Sequence, residues 1–199
     1  MAKYAYDLRR VNHVTAGAVG QPGQRVFYLQ AQKHGDLVSM VTEKEYVRAL
    51  CERLDDILDE LAKRGLPRPS QADEPTPAEL MLRGPLTALF RIGQLSLAYD
   101  AENDLIIIEA EELVLADEDE EIDPILRGSQ PEEEPAAKEP QAVRISATRA
   151  QMQGLSRFAL DIIETGGRPQ CPQCLQPMDP SGHMCVKKNG HANKTNAEL

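Results

Sequence analysis

The chain has 199 residues, 41% of them hydrophobic, with no Trp and only 4% aromatics, enough for one moderately large domain or two small ones around a mainly aliphatic core. No apolar run approaches the roughly 18 residues needed to span a bilayer, and the opening MAKYAYDLRR lacks the apolar stretch of a secretory signal. The formal charge of −10 arises in one segment: residues 102–139 carry fifteen acids against two bases, the remainder seventeen acids against twenty bases, so the acidity does not exclude a nucleic-acid partner.

Residues 1–66 read as strands followed by one helix. VNHVTAGAVG and QRVFYLQAQ are β-favouring runs around a Pro-Gly turn, KHGD makes a second turn, and LVSMV supplies a third strand. Thr42 and Glu45 have the spacing of a capping box. Behind them Val47, Leu50, Leu54, Ile57, Leu58 and Leu61 share one helical face, which Gly65, Pro67 and Pro69 terminate. Residues 67–85 are proline-rich and read as a linker. Residues 86–165 repeat the pattern: FRIGQLSLAYD and DLIIIEAEELV around AEND, the strand AVRIS, a second capping-box spacing at Thr148 and Gln151, and a stripe of Met152, Leu155, Ala159, Ile162 and Ile163.

The two stretches align. A shift of 79 positions places RVFYLQA on DLIIIEA, and a shift of 105 places Val38 on Val143, Met40 on Ile145, Val47 on Met152 and Leu50 on Leu155. An acidic insertion over 116–140 separates the two shifts, too charged and proline-rich to bury a core. The expected fold class is α+β: two sheet-plus-helix repeats (hairpin, third strand, helix) about a pseudo-twofold axis, with a small zinc-ribbon-like module over 166–199.

That tail, CPQCLQPMDPSGHMCVKKNGH, holds three of the four cysteines. The spacing of Cys171 and Cys174 lets both sulfurs face one ion, and Cys185, His183 and His191 follow after turn-forming residues. Five donors compete for four tetrahedral positions. Cys171, Cys174, Cys185 and His191 form the preferred set, because the one-residue spacing of His183 and Cys185 is the tighter constraint. A redox dithiol is disfavoured, since Pro177 and Pro180 prevent a helix from running on from Cys174. A complete protein shell implies structural Zn2+.

Elsewhere the chemistry is sparse. Gly17, Gly20 and Gly23 precede a strand and not a helix, so they form a hairpin turn and not a phosphate loop. Cys51 lies on the apolar helix face as a small core side chain, and His13 and His34 have no evident catalytic partner. Arg25 and Lys33 on one hairpin, with Arg168, Lys187, Lys188 and Lys194 in the tail, are the candidate nucleic-acid contacts.

GQRVFYLQA, FRIGQLSLAYD, LIIIEAEE and RPQCPQCLQPMDPSGHMCVKKNGH together resemble an uncharacterised bacterial family, a domain of unknown function. The resemblance implies a zinc-binding tail on a two-part α+β body and transfers no activity. A weaker, topological likeness is to the PUR single-strand-binding repeat, which pairs two strand-and-helix copies. The expected function is that of a cytoplasmic binding or adaptor protein with structural zinc, its partner a protein or nucleic acid and not a membrane. The alternative is an enzyme with a cleft between the repeats.

Overall fold

The computed structural model describes residues 4–21, 24–114 and 140–165, and in the tail 171, 173–174, 182–183, 185 and 191–192. The body is α+β. Seven strands, β1 (Tyr4–Leu8), β2 (His13–Val19), β3 (Val26–Lys33), β4 (Asp36–Thr42), β5 (Ala88–Asp100), β6 (Leu105–Glu112) and β7 (Ala142–Thr148), form one sheet. Two helices, α1 (Lys44–Lys63) and α2 (Arg149–Thr165), follow β4 and β7. The acidic insertion falls, apart from residue 140, outside the described residues. No helix among the described residues is long and apolar enough to cross a membrane.

Alternation builds the core. Val14 and Ala16, Leu29 and Ala31, Val38 and Met40, Ile106 and Ile108, and Val143 and Ile145 each sit two apart on a strand and point to one face. Val47, Leu50, Cys51, Leu54 and Leu58 of α1 close on that face together with Met152, Leu155 and Ala159 of α2, in a single cluster. The helices pack against each other, and α2 also lies on β2.

The strand order is β1-β7-β6-β5-β4-β3-β2. Each of β2–β3–β4 and β5–β6–β7 is an antiparallel meander leading into its helix, but β4 pairs with β5 in parallel. The last strand of one half thus adjoins the first of the next, running the same way. The cause is the connection: the helix after β4 carries the chain back to the end of the sheet at which β4 began, so the next strand lies parallel.

β1 lies outside the sequence expectation. It pairs in parallel with β7, from Tyr4 opposite Ala142 to Leu8 opposite Ile145. The chain then crosses to the far end of the strand order: Val11 N–H donates to Ser146 O on β7 at 3.0 Å, and Asn12 N–H to Gln32 O on β3 at 2.8 Å. Adjacent residues thus bond to opposite ends of the sheet, which must curl until those ends nearly meet. Lys33 Nζ donates to the carbonyls of Arg9 and Arg10 and fastens this bridge.

The other face of β2–β4 is polar but buried, because residues 76–85 lie across it. Thr15 Oγ1 donates to Leu80 O at 2.5 Å, Gln30 Nε2 to Ser39 Oγ and Arg83 O at 2.9 Å each, and Arg83 N–H to Gln30 Oε1 at 2.8 Å. The proline-rich segment is therefore tied to the sheet by hydrogen bonds that satisfy groups no water reaches.

The two caps differ. Thr148 and Gln151 form the expected box: Thr148 N–H donates to Gln151 Oε1 at 3.0 Å, and Gln151 N–H to Thr148 Oγ1 at 3.2 Å. At α1 the N-cap is Glu43, with no side-chain cap bond, and Thr42 still belongs to β4. Strand pairing with Phe27 holds Thr42 in the sheet and moves the helix start on by one residue. At the other end Gly65, at φ +92, gives the left-handed residue of a Schellman motif, with Leu66 N–H donating to Leu61 O and Gly65 N–H to Ala62 O.

Candidate metal centre

Cys171, Cys174 and Cys185 are brought together by a turn at 173–174 and by a short antiparallel ladder of β8 (Gly182–His183) with β9 (His191–Ala192). Their three Sγ atoms all lie within 4.8 Å of one another, and those of Cys171 and Cys185 are 3.8 Å apart. Cys171 and Cys185 are buried and Cys174 partly so. None of the four cysteines forms a disulfide, and 3.8 Å is nearly twice an S–S bond of about 2.05 Å. Sulfurs held about 2.3 Å from a tetrahedral ion would be separated by about 3.8 Å, so the spacing suits a common metal.

The local electrostatics favour thiolate. Burial opposes ionisation of Cys171, but N–H groups of Cys174 and Gln173 directed at its sulfur, with the Cys174 and Cys185 side chains, outweigh it and bring the thiol down to about 6. Among the described residues this is where three metal-ligating side chains converge. The ladder sets His183 directly opposite His191 in register, while the side chains of both lie outside the described set.

The family model described as "Protein of unknown function (DUF3090)" matches residues 6–185. The chain belongs to this family. The match to DUF3090 runs from β1 to Cys185 and so takes in the body and all three clustered cysteines. No curated protein and no solved structure matches the chain.

Of the candidate nucleic-acid residues, Arg25 and Lys33 are among those described. Arg25 precedes β3 and Lys33 ends it, so the strand's length separates them. Arg168, Lys187, Lys188 and Lys194 lie outside the described residues. Cys51 is buried in the core cluster, in agreement with its expected structural role.

Pattern reading sets His13 aside for want of a partner. It is buried and lines a cavity of about 310 Å³ with Glu79, Arg83 and Gln151. Burial first, and the Arg83 charge second, hold its imidazole below the usual value against the opposing pull of the Glu79 backbone carbonyl and the Gln30 side chain. The only sequence signal is a histidine within an apolar strand, which does not announce the Arg83 that reaches it from seventy residues on.

Proposed function

We propose that Cys171, Cys174, Cys185 and one histidine, His191 before His183, hold a structural Zn2+, and that this DUF3090 protein is a cytoplasmic binding or adaptor protein whose partner is a protein or nucleic acid. The convergence of three sulfurs within 4.8 Å of one another, with Cys171 and Cys185 at the 3.8 Å edge of a thiolate tetrahedron, carries the reading. A shell of three thiolates and an imidazole leaves no position for water, so the ion serves shape and not hydrolysis. Apparent zinc binding of about 10–16 kcal/mol in small peptides suffices to order a segment with little apolar surface of its own. The body is read as two tandem copies of a three-stranded meander and helix, supported by the like order and direction of β2–α1 and β5–α2.

Metal analysis of protein purified without added metal tests the ion. One zinc per chain is expected, falling below one tenth in Cys185→Ser and falling further in His191→Ala than in His183→Ala. A metal-free wild-type protein overturns the reading. For the adaptor role, a partner captured by wild type should be lost in Cys185→Ser; equal capture by both refutes a part for the tail in binding.

A further inference from the structure

Where the 9–12 bridge crosses the end of the sheet, the outer face of β6 opens into a cavity of about 510 Å³. Leu105 and Ile107 give it an apolar floor, on the side of β6 opposite Ile106 and Ile108 of the core. Arg9, Arg10, Lys33 and Arg144 stand around that floor.

Two of these cations are neutralised locally. Arg9 pairs with Asp7 at 3.0 Å and Arg144 with Glu109 at 3.0 Å. The other two are bonded to neutral groups. Arg10 Nη2 donates to Asn103 O at 3.3 Å, and Lys33 Nζ donates to the Arg9 and Arg10 carbonyls. A carbonyl takes up a hydrogen bond without cancelling a charge, and a guanidinium with five N–H groups is far from exhausted by one of them. Asp100, the remaining carboxylate of the lining, accepts from the N–H groups of Glu102 and Asn103 and from the Asn103 amide, keeps its charge and acts on Arg10. The four cations against Asp7, Glu109 and Asp100 leave the cavity one positive charge in excess over a greasy base. Arg10 is also held at φ +52, a left-handed conformation that side-chain-bearing residues seldom take.

We propose that this cavity binds a small organic anion, its phosphate or carboxylate head on Arg10 and Lys33 and its apolar body on Leu105 and Ile107. The inference is independent of the zinc reading, since no tail residue takes part. The volume is that of a small-molecule site, and a bare inorganic ion would leave the floor unused. A nucleic-acid strand is a poorer match, because strand binding needs free aromatic faces for stacking. Tyr4 already carries the Arg144 guanidinium at 5.3 Å over its ring and donates to Glu109.

The test is an NMR titration of the full chain with phenyl phosphate, benzoate, inorganic phosphate and oligothymidylate. Saturable shifts at Arg10, Lys33 and Ile107 are expected with phenyl phosphate or benzoate, and the tighter of the two identifies the head group. Either should bind at least about tenfold more tightly than inorganic phosphate, since only the aromatic anions cover the floor. Arg10→Asn keeps a residue that tolerates the left-handed backbone while removing the charge, and should weaken the aromatic anion by about tenfold or more. Ile107→Ser should weaken the aromatic anions and leave inorganic phosphate unchanged. The proposal is overturned by absence of saturable shifts with both aromatic anions or by unaltered affinity in a folded Arg10→Asn. Tighter binding of oligothymidylate at the same residues would also overturn it.

Discussion

Cys51 and His13 are both buried, and each is held in its neutral form. Burial pushes the Cys51 thiol up to about 12, with the Asp55 and Glu52 charges adding to it and the Ser156 hydroxyl opposing. At pH 8 a thiol with that value is ionised in about one molecule in ten thousand, against roughly a quarter for an ordinary cysteine. Native protein treated with iodoacetamide at pH 8 should remain unmodified at Cys51 by mass spectrometry and react there once urea exposes it. For His13 the folded pKa is depressed, whereas the unfolded chain titrates near about 6.5. The folded state then binds fewer protons below that pH, so the contribution to stability is complete above about 6.5 and is lost as pH falls through the folded value. Urea unfolding at pH 7.5 and 5.5 should show a smaller acid loss in His13→Gln than in wild type. Equal losses would remove His13 from the account.

At the scale of elements, the two threonines that precede the helices have opposite roles. Thr148 makes both halves of a capping box, and Thr148→Ala should cost about 1 kcal/mol in chemical denaturation. Thr42 caps nothing, and its buried hydroxyl has no hydrogen-bond partner among the described residues. Thr42→Val exchanges that hydroxyl for a methyl of similar size and should be neutral or stabilising. The sequence spacing is the same at both sites, so local pattern alone could not separate them; the difference lies in how far each preceding strand keeps pairing. Six strands and both helices were nevertheless legible, because β2–β7 alternate and the helical stripes repeat every three to four residues. β1 was not. Tyr4, Ala5, Tyr6 and Asp7 are all exposed and Leu8 alone reaches the core, too little to mark a strand. Backbone pairing with β7 holds it, and pairing leaves no mark in composition.

For the whole molecule, the core cluster contains none of the three clustered cysteines, so on the zinc reading the tail takes its order from the ion and the body from its apolar core. On that reading, a strong chelator should expose the chain beyond residue 165 to trypsin while the far-UV spectrum and melting temperature of the body change little. Simultaneous collapse of both would contradict that separation. The cysteine site was legible because soft donors at short spacing have few other uses. The topology was harder to read, since the parallel contacts of β4 with β5 and of β1 with β7 join segments far apart in sequence. The anion cavity was hidden for the same reason: Arg10, Lys33, Leu105 and Arg144 become neighbours only when the sheet curls.

The placement of β1 has a consequence for biosynthesis. Its partner begins at Ala142, so β1 must wait for synthesis of more than 130 further residues before it finds that neighbour. Closing so long a loop is slow. In pulse-labelled hydrogen exchange the amides of Tyr4–Leu8 should gain protection last, after β2–β4 and α1 are already formed.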